Sequence, residues 1–129
     1  MRTIRLWLAL AGLNGALAVA LAAYAAHGLA GEGAYAADLV DKATRYQGLH
    51  ALALLAIAAL QAAGLRSRFL GAAAILFVLG IALFCGALYG IALAGLPIGW
   101  ITPFGGGAFI LGWLSLGLSS LRVGREMKR

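Results

Sequence analysis

The sequence predicts an all-α integral membrane protein, built as a single domain over residues 1–129 that forms a bundle of four transmembrane helices. The first observation is composition, because the chain is 64% hydrophobic and only 11% charged, whereas a soluble domain carries about a quarter charged residues. The second is that four apolar stretches match or approach the roughly 20 residues that a membrane-spanning helix requires. The third is that the basic residues concentrate in alternate connections between these stretches.

The four predicted spans are joined by short connections, and they cover residues 4–26, 47–65, 69–93 and 102–121. Lysine and arginine are enriched in the cytoplasmic connections of membrane proteins. Eight of the ten Lys and Arg residues lie before the first span or at its second residue, between the second and third spans, or after the fourth. This distribution predicts a multi-pass protein of the inner membrane with both termini in the cytoplasm, and with the connections 27–48 and 94–101 in the periplasm.

An amphipathic helical extension is predicted before the second span. Acidic residues precede basic residues by four positions at Asp38/Lys42 and Asp41/Arg45, a spacing that stabilises a helix through salt bridges. Another face of the same helix continues into the apolar stretch and carries Leu39, Ala43, Tyr46, His50, Ile57 and Gln61. The pattern predicts a helix that begins near Ala36, lies partly outside the bilayer and continues through Gly48. A separate interfacial helix that ends near Gly48 is the alternative.

The start of the fourth span carries a local helix signal. Thr102 is predicted as the N-cap and Pro103 as the first helical residue. The three glycines at 105–107 would either admit an anion to the backbone N–H groups or let another helix lie close, and packing is the favoured interpretation. Within the spans, Asn14 and Gln61 are expected to form interhelical hydrogen bonds, since an unpaired amide in hydrocarbon is costly.

Polar side chains from all four predicted helices converge in the periplasmic half of the bundle. The candidate ligand-binding residues are His27, Arg45, Tyr46, Gln47, His50, Tyr89 and Thr102. They have two interpretations. They form a structural network that fixes the helices, or they bind a lipid headgroup, a quinone-like amphiphile or a small ion.

Several other functions are disfavoured by what the chain carries. Cys85 is the only cysteine, and no H-E-x-x-H or comparable cluster suggests a metal site. The spans contain no carboxylate for a proton relay, and no nucleophile, base and orienting group occur together. No basic module accompanies the net charge of +6, so nucleic acid is not an expected partner.

We therefore predict a non-enzymatic structural or accessory helix bundle without a cofactor. The alternative is a small binding or transport module. Expected partners are membrane lipids, together with a second copy of the chain or a larger membrane complex, because 19 glycines favour close helix packing.

Four ordered sequence blocks extend over nearly the whole chain. They are Ala26 to Leu29; Arg45 to Gln47 with His50 to Leu52; Gly80 to Ile81 with Leu83, Phe84, Gly86, Leu88 and Tyr89; and Ile101 to Pro103 with Gly105, Gly106, Gly112 and Trp113. In these blocks the chain resembles the YgdD-like small membrane proteins, domain-of-unknown-function family 423 (UPF0382). The resemblance implies four transmembrane helices and an inner-membrane location, and it supplies no reaction or ligand. Cys85 and Ala87 replace two serines expected from the family pattern, so a mechanism that needs those hydroxyls is not expected here.

Overall fold

The computed structural model describes residues 1–29 and 31–126, and every regular element in this part of the chain is helical. In chain order the elements are α1 (Arg2–Gly28), α2 (Ala34–Ala62), α3 (Arg68–Gly80), a π-helical segment (Ile81–Cys85), α4 (Gly86–Ala94), a 3₁₀ turn (Gly99–Ile101), α5 (Thr102–Leu118) and α6 (Ser120–Glu126). The segments α3, π and α4 follow one another without a break. They therefore form one long helix from Arg68 to Ala94.

Three helical stretches in the described residues are long and apolar enough to cross a membrane. They are Arg2–Gly28, Arg68–Ala94 and Gly99–Arg125, each of 27 residues. They contain three of the four predicted spans. The helix α2 is not among them, because its first half carries four charged residues and its centre carries Gln47 and His50.

The prediction of a continuous second helix is confirmed, since α2 runs from Ala34 to Ala62 and passes through Gly48. The alternative with a break near Gly48 is wrong. Gly33 precedes the helix with a φ of 87°, a conformation that glycine adopts without the strain of a Cβ atom. The chain can therefore turn sharply from α1 into α2.

Only one of the two predicted salt bridges on α2 forms. Arg45 Nε lies 3.0 Å from Asp41 Oδ2, and both side chains are exposed. Asp38 and Lys42 make no salt bridge in the part of the chain that the structure describes, so that prediction is wrong. Both side chains are exposed, so each remains free to point away from the other.

The helices α1 and α2 pack antiparallel, as expected for helices joined by a short connection. Asn14 bonds to Gln47, and a Cβ atom added at Gly48 would lie 3.9 Å from Ala18 Cβ. Both contacts join the middle of α1 to the middle of α2. Gln47 therefore lies opposite the centre of the first helix and not near its end.

A repeating contact between phenylalanine and glycine joins the long helix to α5. A Cβ atom at Gly112 would lie 2.6 Å from the Phe77 ring, and one at Gly80 would lie 2.9 Å from Phe109 Cγ. At Gly105 an added Cβ would lie 2.8 Å from the Leu83 carbonyl carbon. These positions recur three and four residues apart on both helices, the spacing of one helical face. Here the missing side chains let two backbones approach each other.

The predicted N-cap at Thr102 is wrong. The 3₁₀ turn Gly99–Ile101 leads directly into α5, so Thr102 already has helical geometry and its side chain caps no backbone group. Pro103 is therefore the second residue of α5 and not the first, although it still lies in the first turn of the helix. Ser67 does act as an N-cap at the start of α3, where its hydroxyl oxygen accepts a hydrogen bond of 3.2 Å from the Phe69 N–H.

Candidate functional site

Gln47 joins three helices through its side-chain amide. Its Nε2 donates to Asn14 Oδ1 on α1 over 2.9 Å, and its Oε1 accepts a hydrogen bond of 2.6 Å from the Tyr89 hydroxyl on α4. Asn14 Nδ2 in turn donates to the Leu10 carbonyl over 2.9 Å. Gln47 is only 4% exposed, so these bonds replace those that water would otherwise supply. The result is a chain of polar contacts through the middle of the bundle.

The expectation of interhelical hydrogen bonds has a different outcome at each of its two residues. It is confirmed at Asn14, which bonds to Gln47 on the neighbouring helix. At Gln61 it is wrong for the carbonyl oxygen, since Oε1 is buried without a partner among the described residues. Gln61 lies at the end of α2, away from the central cluster.

His50 joins α2 to α5 one turn further along the same helix. Trp113 Nε1 donates to His50 Nε2 over 3.0 Å, and His50 Nδ1 lies 2.6 Å from the Tyr46 carbonyl oxygen. Because an indole N–H can only donate, Nε2 must accept, and the proton must then be on Nδ1. The two contacts thus assign a neutral imidazole whose nitrogens are both bonded. His50 is 1% exposed and has no free atom for a further partner.

An aromatic cluster surrounds the imidazole ring. The ring of Phe109 stacks on it with 3.6 Å between centroids and 9° between planes, and Phe77 lies 5.2 Å away in a tilted arrangement. Tyr46 packs on Phe84 with 4.7 Å between centroids. Each of these contacts joins α2 to the long helix or to α5. Stacked and tilted aromatic pairs contribute roughly 0.5–1.5 kcal/mol each beyond their area burial.

The π-helical segment Ile81–Cys85 lies beside this cluster. Phe84, within it, contacts both Tyr46 and Phe109, and Cys85 is fully buried. A π turn contains one residue more than an α turn. It therefore changes the direction in which the following residues point, and Tyr89 on α4 reaches Gln47 from there.

Four of the seven candidate residues come together in the structure, and three do not. Tyr46, Gln47, His50 and Tyr89 form the cluster. His27 is exposed in the last turn of α1, and Arg45 lies on the outer surface with Asp41. Thr102 Oγ1 is buried without a partner among the described residues. Gln47 lies opposite the middle of α1, and the placement of the cluster in the periplasmic half stays a prediction.

The sequence did not identify the aromatic residues that complete the cluster. These are Phe77, Phe84, Phe109 and Trp113. A signal was present, because phenylalanine and glycine alternate three and four residues apart in both of the helices concerned. That spacing predicts one shared helix face.

Among the described residues, three surface cavities can be placed, and none of these three is lined by His50 or Tyr89. One of about 610 Å³ follows the groove between α1 and α2, and one of about 230 Å³ lies where these helices meet near the connection. The third, of about 280 Å³, lies beside Tyr24 and Leu93. No group of three or more His, Cys, Asp or Glu side chains in the described residues could hold a metal ion.

Comparison with known proteins identifies the family. A profile described as "Protein of unknown function (DUF423)" matches residues 21–106. The chain belongs to the DUF423 family. Over 119 residues it is 40% identical to a UPF0382 membrane protein of Haemophilus influenzae, an alignment that covers 90% of this chain and 94% of that protein. A UPF0382 membrane protein of Staphylococcus epidermidis is 39% identical over 92% of this chain and 98% of its own length.

A third relative is a protein of the inner membrane. The UPF0382 inner membrane protein YgdD of Escherichia coli is 33% identical over 126 residues, which covers 96% of this chain and 95% of that protein. No solved structure matches the chain. Membership of DUF423 confirms the resemblance seen in the sequence blocks and identifies a membrane protein. The family specifies no reaction or ligand, so the role of the cluster is inferred from its geometry.

Proposed function

We propose that the protein is a non-enzymatic structural or accessory bundle of the inner membrane, in which the polar and aromatic cluster braces α2 against the other helices. The carrying observation is that Gln47, His50 and Tyr89 have their polar side-chain atoms bonded inside the protein, whereas Tyr46 is 43% exposed. Both nitrogens of His50, the side-chain amide of Gln47 and the hydroxyl of Tyr89 bond to protein groups. A site for a lipid headgroup, amphiphile or ion would need some of these atoms to face a cavity.

Four membrane crossings, with both termini in the cytoplasm, form part of this proposal. The helix α2 pairs with α1 from middle to middle, so it occupies the same depth as a helix that is apolar enough to span. Its polar centre is enclosed by protein and needs no contact with lipid. The basic residues favour cytoplasmic termini, and the E. coli relative is an inner membrane protein.

Labelling of single cysteines tests this topology. In a Cys85→Ala background, we expect a cysteine at Glu32 to react with a membrane-impermeant maleimide added to intact spheroplasts. A cysteine at Arg66 should react only after lysis, because it lies between the second and third crossings. Both positions are exposed. Equal labelling of the two in intact spheroplasts would contradict a crossing by α2.

The brace itself is tested by Gln47→Leu. We expect the free energy of unfolding in micelles to fall by about 1–2 kcal/mol, because Asn14 and Tyr89 both lose a partner and interhelical hydrogen bonds contribute about 0.6 to 1.7 kcal/mol. Denaturant titration followed by circular dichroism measures this. Gln61→Leu is the matched control, since its Oε1 has no partner to lose, and it should be as stable as the wild type or slightly more stable because the leucine removes an unpaired buried oxygen.

Native mass spectrometry of gently extracted protein distinguishes the brace from a binding site. For a brace, wild type and Gln47→Leu should carry the same small molecules. A bound mass present on the wild type and absent from a Gln47→Leu variant of unchanged stability would refute the brace and favour a site.

A further inference from the structure

The groove between α1 and α2 is the largest cavity described, and none of the helices that the structure describes fills it. Its volume is about 610 Å³ and its walls are mostly apolar. Along it lie Gly12, Gly15, Ala18, Gly48, Ala51 and Leu52, and Asp41 and Arg45 border one end. The surface is therefore a long hollow with a charged rim at one end.

The glycines of this groove are not needed for packing within one chain. A Cβ atom added at Gly12 or Gly15 would have no atom within 4 Å, whereas one at Gly80, Gly105 or Gly112 would collide with a neighbour. Small residues at the surface of membrane helices let another helix approach closely. A helix can lie along such a hollow with continuous backbone and side-chain contact, so the shape of the groove suits a second helix.

The charged rim of the groove, formed by Asp41 and Arg45, favours a second copy of this chain as the partner. Asp41 and Arg45 bond to each other, and their side chains are 57% and 76% exposed. In the four-crossing arrangement this pair lies alongside Ala18, Ala22 and Ala25 on α1, in the part of the span nearest its outer end, where an uncovered charge costs less than at the bilayer centre but still favours a charged partner. The pair is neutral as a whole. A second copy, related by a two-fold axis along the membrane normal, would bring Arg45 of each chain within one turn of Asp41 of the partner subunit.

The apolar wall is self-complementary as well. Leu52 is 65% exposed and lines the same groove as Gly12. Counting along the antiparallel helices from the Asn14–Gln47 and Ala18–Gly48 contacts puts Leu52 level with the turn that contains Gly12. A two-fold axis along the membrane normal keeps depth unchanged. Leu52 of each copy would thus face the hollow at Gly12 of the partner subunit.

From these features we infer that the α1/α2 groove is the interface of a symmetric dimer of this chain. The inference rests on the proposed four-crossing accessory bundle and names its partner. Two chains pair along α1 and α2, each leucine fills the other chain's glycine hollow, and the two ion pairs form one neutral cluster of four charges. The cluster around His50 stays within each chain.

Energy transfer in liposomes tests the dimer. Donor- and acceptor-labelled chains are mixed at decreasing protein-to-lipid ratios, and the association constant is obtained from the transfer efficiency. We expect the wild type to associate and Gly12→Leu to reduce the association constant about tenfold or more. Gly117→Leu on α5 is the matched control, since Gly117 is equally exposed and also has no neighbour within 4 Å. It should associate like the wild type.

A charge exchange tests the rim separately. Arg45→Asp alone should weaken association, because four negative charges would then meet. The double variant Asp41→Arg with Arg45→Asp should restore it, since the pairing is exchanged and conserved.

Several results would overturn the dimer. Transfer in the wild type that matches random proximity would do so, as would equal association of Gly12→Leu and wild type. Retention of a lipid or a different protein in the groove of a monomeric wild type would also refute it. None of these results affects the brace, because Gln47→Leu is measured by unfolding at a dilution at which chains are separate.

Discussion

Replacing Gly105 with alanine is expected to lower the free energy of unfolding by about 3 kcal/mol, the upper part of the usual range for an overpacked core. The added Cβ would lie 2.7 Å from Phe84 Cβ and 2.8 Å from the Leu83 carbonyl carbon. These atoms belong to the backbone or are attached directly to it, so a rotamer change cannot relieve the collision. The long helix and α5 would have to separate, which would also disturb the ring contacts of Phe84.

Gly107→Ala supplies the control for this prediction. Gly107 lies two residues further along the same helix, and an added Cβ there has no neighbour within 4 Å. Alanine also has the higher helix propensity, so Gly107→Ala should be as stable as the wild type or slightly more so. Denaturant titration of all three proteins in micelles measures the difference. Equal stability of the two variants would show that the close approach at Gly105 does not hold the helices together.

His50→Ala is expected to cost about 3 kcal/mol, within the range for truncation of a large buried side chain. The substitution removes the ring that stacks on Phe109 and leaves the Trp113 indole N–H without its acceptor. The Tyr46 carbonyl loses its side-chain donor. Since the site is fully buried, lipid cannot replace these partners and a cavity remains.

The other histidine gives the matched control. His27 is exposed at the end of α1. The free energy of unfolding of His27→Ala should therefore lie within about 0.5 kcal/mol of the wild-type value, as is usual for surface substitutions. Thermal melts followed by circular dichroism compare the two variants. If His50→Ala and His27→Ala had the same melting temperature, the cluster around His50 would not stabilise the bundle.

Most of the helical architecture could be predicted from the sequence. Long apolar stretches identify α1, the helix from Arg68 to Ala94, and α5, because lipid requires them whatever their neighbours are. The continuity of α2 followed from a stripe in which Leu39, Ala43, His50 and Ile57 are indeed buried. Such local patterns depend on one helix alone, and they are read directly from the chain.

The depth of the site could not be predicted in this way. The sequence interpretation began the second span at residue 47, and therefore placed Gln47 and His50 near one end of that span. In the structure Asn14 and Tyr89 form hydrogen bonds with the side-chain amide of Gln47. These bonds allow a polar residue to lie at a position where a lipid-facing helix would need an apolar one. Pairing of this kind depends on how three helices are aligned with one another, and the sequence of one helix alone does not specify that alignment.

The π-helical segment is a second feature without a local signal. Ile81–Cys85 contains no residue that specifies an extra backbone position. Its geometry becomes understandable only with Phe84 packed on Tyr46 and Tyr89 bonded to Gln47. The partners are 38 or more residues apart in the chain, so their contact follows from the assembled bundle.

The uneven polarity of the helices has a consequence for biogenesis. In the four-crossing arrangement, α2 carries the polar groups that its neighbours satisfy: Asn14 comes from the helix before it, whereas Tyr89 and Trp113 come from helices synthesised later. In a nascent chain that stops after α2, Gln47 could bond to Asn14 but not to Tyr89, and His50 would lack the hydrogen bond from Trp113. These polar groups would then face lipid. The second helix should therefore enter the membrane together with α1 as a hairpin, and settle only once α5 has left the translocon.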